Sequence, residues 1–158
     1  MASSEKTTPW VDSFLDPDAE MERRLSASGG MMATVLTEAG RMWDAVVIAP
    51  LERGLAALDS LGLPLDSGYG VYADYRRHEL IVHVAPGAAG TDERVDVQGV
   101  RALSRGSWVV MPRSGYGTWE AACLSGPTGR FPRYVDPAEL RAAVLAVDEE
   151  RAARTCAP

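Results

Sequence analysis

Between residues 70 and 119 the chain reads GVYADYRRHELIVHVAPGAAGTDERVDVQGVRALSRGSWVVMPRSGYGTW, and this stretch limits the choice of fold more than any other. Val71-Tyr72-Ala73 and Leu80-Ile81-Val82-His83-Val84 flank a polar turn at 74–77, and Pro86-Gly87 stops the second run. Two such runs around a short polar connection make a hairpin. Ser107-Trp108-Val109-Val110-Met111 is a further β-branched and aromatic run, opened after Arg105-Gly106 and closed by Pro112. The middle of an antiparallel sheet is expected here, with Ile81, Val100 and Val109 in one sheet.

The flanking segments supply the helices. Residues 43–49 (WDAVVIA) are apolar without alternation, as in a central strand covered on both faces. Leu51, Leu55, Leu58 and Leu61 then recur at helical spacing between Pro50, allowed at the first helical position, and Gly62, a natural C-terminal stop. An earlier helix is expected from Pro17 to about residue 25, with Asp16 as N-cap. Residues 31–39 (MMATVLTEA) are short enough for a strand, but their Ala, Leu, Met and Glu content favours a helix closed by Gly40. Short strands are expected at 95–97, 100–103 and 119–124. The last helix is the clearest element: Asp136 caps it, Pro137 opens it, Glu139 holds the capping-box position, and Leu140, Val144 and Val147 form a buried stripe. The predicted fold is α+β, a mostly antiparallel sheet of about five to six strands with helices packed on one face. Residues 17–155 form a single domain, and 1–16 form a flexible tail that Trp10, Val11, Phe14 and Leu15 can pin to the body.

Composition narrows the function. With 158 residues the chain is long enough to bury a core without metal or disulfide staples. No apolar run approaches the roughly 18 residues of a spanning helix, so no membrane partner is expected. The first residues carry no apolar segment after a basic start, which points to a cytoplasmic chain. Cys123 and Cys156 belong to no CxxC or Cys/His cluster and read as free thiols. A net charge of −6 weighs against nucleic acid as a partner, because neutralising phosphates needs a basic surface. No GxSxG elbow accompanies Ser107, Ser114 or Ser125, so a serine hydrolase is unsupported.

The segments RRHELIVHVAPG (76–87), RVDVQG (94–99) and GSWVVMPRSG (106–115), with Trp119 downstream, together resemble the second half of the primase/polymerase (prim-pol) domain of the archaeo-eukaryotic primase superfamily, above all its short, diverged actinobacterial forms. The resemblance implies that His78 falls on the family's phosphate-contacting histidine and Asp96 on the last of its metal-binding acids. Arg76 stands where the family has a small residue, and Arg113 where a proline precedes Ser114. The family's Asp-x-Asp metal pair belongs at the end of the strand before the Leu51 helix, where this chain has Ile48-Ala49-Pro50-Leu51 and Glu52 as the nearest acid. Nucleotidyl transfer of this class uses two divalent ions held by carboxylates, and Mg²⁺ demands several oxygens near octahedral geometry. One aspartate cannot hold two such ions.

The expectation is therefore a non-catalytic, prim-pol-like binding or regulatory protein with no catalytic residue, no metal and no cofactor. Its ligand, a nucleotide or other anion, would meet His78, Arg76, Asp96, Arg113 and Ser114. Against this stands the plain reading of Arg76-Arg77-His78-Glu79 as a solvated turn. His83, at odd spacing from His78, reads as an ordinary strand residue. Two alternatives remain: an active metal-dependent nucleotide or phosphoester enzyme with a site rearranged from Asp74, Asp96 and Glu52, or a structural protein whose partner is another protein or a second copy, paired through a sheet edge or the tail.

Overall fold

In the computed structural model, which describes residues 8–27, 33–89, 97–113, 115–127 and 132–157, the chain runs α1 (Pro9–Phe14), α2 (Ala19–Ala27), β1 (Thr34–Glu38), β2 (Asp44–Ile48), α3 (Leu51–Ser60), β3 (Val71–Asp74), β4 (Glu79–Val84), β5 (Val100–Leu103), β6 (Trp108–Pro112), β7 (Ala122–Ser125) and α4 (Pro137–Thr155). Five strands form an antiparallel sheet in the order β5-β2-β4-β3-β7, and β1 pairs with β6 in a separate two-stranded ribbon. The fold is α+β.

Alternation along the strands divides the side chains between two faces. Val46, Ile48, Val71, Ala73, Leu80, Val82 and Val84 pack against Leu51, Leu55 and Leu58 of α3 and Leu140, Val144 and Val147 of α4. Leu25 of α2 and Trp10 of α1 join the same core. On the other face Ala45, Val47, Tyr72 and Ile81 lie beneath Val109 and Met111 of the ribbon.

Local chemistry accounts for the helices. Asp136 accepts from the N–H groups of Ala138 and Glu139, satisfying two donors that the first turn of α4 leaves open. Gly54 lets α3 settle on β4, since a Cβ there would stand 2.8 Å from Cβ of Leu80. Arg53, also on α3, is nearly enclosed: it donates to both carboxylate oxygens of Asp148 at 2.9 and 2.6 Å and to the carbonyls of Ala49 and Gln98. One guanidinium thus ties α3 to α4, to the exit of β2 and to the approach to β5, the forked geometry for which arginine is suited.

Several expectations change. Residues 31–39, read as a helix, contain strand β1, with Met31 and Met32 outside the described residues. Thr34, Val35 and Thr37 are β-branched, and pairing with β6 supplies the ladder that overrides the composition. Val109 does not share a sheet with Ile81 and Val100: the turn closed by Ser107 N–H donating to Ser104 carries β6 away from β5 to β1. Gly40, at φ +96, allows the chain after β1 to press on the backbone of Arg105, where a Cβ would lie 2.7 Å away. Helix α2 starts later than expected, with Asp18 rather than Asp16 accepting from its first turn, at Met21 N–H. Within the tail assigned to 1–16, residues 9–14 are helical. Asp59 accepts from the N–H groups of Trp10 and Val11 at 2.8 and 3.1 Å, and the Trp10 indole donates to the carbonyl of Leu63. The strand expected at 95–97 lies largely outside the described residues.

Candidate functional site

The ribbon does not cover its face of the sheet completely. Register places Arg101, Val47, Ile81, Tyr72 and Cys123 side by side across the five strands, with Asp74 and Glu79 paired at the hairpin end. There a groove of about 230 Å³ remains open, floored by Val47, Ile81, Leu103 and Val109 and bordered by Asp74, Arg77, Glu79, Arg101, Trp108 and Glu120. Trp108 is 61% exposed.

The charges around the groove are largely matched. Arg101 reaches Glu79 at 3.1 Å, and Glu120 holds Arg76 at 2.6 Å from outside the groove. Asp74 is committed to its turn: one oxygen accepts from the N–H groups of Arg76 and Arg77, and the other lies 3.9 Å from the Arg77 side chain. The result is an apolar floor, an open aromatic face and two arginines whose ion pairs are solvent-accessible. Chemically the groove offers an aromatic surface at Trp108 and two guanidinium groups, each already shared with a carboxylate of the rim.

Deeper on the same face, His83 stacks on Trp43, with ring centroids 4.0 Å apart and planes 12° from parallel, and lies 4.9 Å from Tyr72. Gly70 presses on it so closely that a Cβ would meet Nδ1 at 2.5 Å. Burial pushes the His83 pKa down to about 3, so the ring is neutral. Its Nε2 is buried without a hydrogen-bond partner among the described residues. Burial likewise raises the Tyr72 hydroxyl to about 12 and moves the Cys123 thiol upward.

Of the residues singled out from sequence, His78, Arg76 and Arg113 fall elsewhere. His78 is exposed in the β3–β4 turn at φ +55, a left-handed position that histidine tolerates better than bulkier side chains. Neither His78, Arg76 nor Arg113 lines the groove. Arg113 follows β6, exposed, with its N–H donating to Ala33. Asp96 and Ser114 lie outside the described residues. Of the rearranged set, Glu52 belongs to α3 and pairs with Arg151 at 3.2 Å on the helical side, whereas Asp74 lines the groove on the ribbon side. The sheet separates them, so these two acids do not share an ion. Among the described residues no three His, Cys, Asp or Glu side chains gather closely enough to hold a metal.

Glu79, Arg101 and Trp108 do not stand out in the sequence as site residues. The alternation that buries Ile81 already sets Glu79 on the same face, but the placement of Arg101 and Trp108 depends on pairings between distant strands. No protein-family model, curated protein or solved structure matches the chain.

Proposed function

We propose that this chain is a non-catalytic, prim-pol-like binding module that takes a nucleotide, or a similar planar anion, in the groove between the sheet and the ribbon. The observation that carries the reading is the joint presence there of an exposed indole, Trp108, and two arginines, Arg77 and Arg101, over an apolar floor. Base stacking on an aromatic ring contributes about 1–3 kcal/mol, and guanidinium groups match phosphate oxygens. The non-catalytic part rests on the acids: the exit of β2 carries Ile48-Ala49-Pro50-Leu51 where the resembled family carries its Asp-x-Asp pair, and Glu52 and Asp74 lie on opposite faces.

Calorimetric titration with ATP, and with inorganic phosphate as comparator, tests the reading. Trp108→Ala and Arg101→Ala are expected to weaken ATP binding about tenfold each, close to 1.4 kcal/mol, while His78→Ala and Arg113→Ala leave it unchanged. Absence of heat with ATP removes the proposal. Loss of binding in His78→Ala but not in Trp108→Ala moves the site to the hairpin turn. A primer-extension assay with Mn²⁺ is expected to show no product; extension abolished by Asp74→Asn would restore the enzyme reading.

A further inference from the structure

We infer that a second copy of this chain docks along the outer edge of β1, the two β1 strands pairing antiparallel about a two-fold axis at Leu36. The inference is independent of the nucleotide reading and concerns the ribbon alone. In the β1–β6 ladder, Ala39 N–H donates to Ser107 and Arg113 N–H donates to Ala33. Antiparallel pairs alternate between bonded and non-bonded, so the N–H and C=O groups of Thr34, Leu36 and Glu38 point away from β6. They find no partner among the described residues.

The other edges are protected in ways that β1 is not. Pro112 removes a donor from β6. The outer side of β7 is covered where Cys123 N–H donates to Tyr116 and Gly117 bridges Ala122. Strand β5 carries Arg101 in its middle. β1, reading TVLTE, has no proline, glycine or cation. Its Leu36 is 62% exposed and directly opposite Val110, itself 41% exposed, with Trp108 beside them.

A strand that fits this edge must be uncharged at its centre, apolar on one face and able to offer outward N–H and C=O groups at alternate positions. β1 meets each requirement for itself. About the two-fold axis Leu36 faces Leu36, and Thr34 faces Glu38, so about six backbone hydrogen bonds form. No like charges are opposed, since the acid of each strand faces a threonine and is held by Arg41 at 3.5 Å. The two ribbons then become one four-stranded sheet, with Leu36 and Val110 of both copies in a single apolar strip.

Sedimentation of the full chain at on the order of 100 µM tests this, with far-UV circular dichroism checking the fold of each variant. The wild type is expected at twice 17.0 kDa. Leu36→Lys and Leu36→Glu, each alone, are expected at the monomer mass because they set like charges face to face across the axis, and an equimolar mixture is expected to recover the dimer. A monomeric wild type overturns the inference. So does a dimer that survives in either variant, or a mixture that stays monomeric, because Leu36 would then not face its own copy.

Discussion

His83 is enclosed by Trp43, Tyr72 and Gly70 in the sheet, and its neutrality has a thermodynamic consequence. Its pKa is near 3 in the folded chain against an ordinary 6.5. Below pH 6.5 the unfolded chain binds a proton that the folded chain refuses. Stability from this group is therefore fully present above 6.5 and is lost as pH falls towards 3, by at most about 1.4 kcal/mol per pH unit. His83→Phe keeps a ring on Trp43 and removes the titration. Between pH 7.5 and 5, urea unfolding of the wild type is expected to lose on the order of 1–2 kcal/mol more than the variant does. Equal losses would assign the pH dependence to carboxylates instead.

Among the elements, α4 presents the most direct test, because Leu140 and Val144 are fully buried between α3 and the sheet. Leu140→Ala is expected to cost about 2–5 kcal/mol in chemical denaturation, and a loss below 1 kcal/mol would mean that the cavity collapses. This helix was legible in the sequence because everything that defines it is local: the Asp136 cap, Pro137 and the apolar stripe. The same holds for α3 and for the β3–β4 hairpin. β1 was misread because what makes it a strand is its partner β6, brought there by the turn at 104–107 and by the close approach at Gly40. The groove shares this limit: Glu79, Arg101 and Trp108 come from three strands of two sheets, and no spacing within one segment brings them together.

At the scale of the whole molecule, the sheet keeps two apolar layers apart, a helical one sealed by α1 and α2 and a ribbon one that remains partly open. The seal at the first of these depends heavily on Asp59, whose carboxylate receives both free N–H groups at the start of α1 and so holds Trp10 over the core. At its other end α1 is held by the Tyr75 hydroxyl, which donates to the carbonyl of Phe14 at 2.7 Å, and a short helix tied by so few contacts opens first: α1 detaches while the sheet, α3 and α4 stay folded. Asp59→Ala removes about 1 kcal/mol of capping, which raises the detached population roughly fivefold. Chymotrypsin under native conditions reads that population as cleavage at Phe14 or Leu15, and the variant is expected to be clipped about fivefold faster. An unchanged clipping rate would mean that Trp10 and the Tyr75 hydroxyl hold the helix without Asp59. Asp59 therefore acts as a latch, setting how often a protease finds the chain's first helix detached.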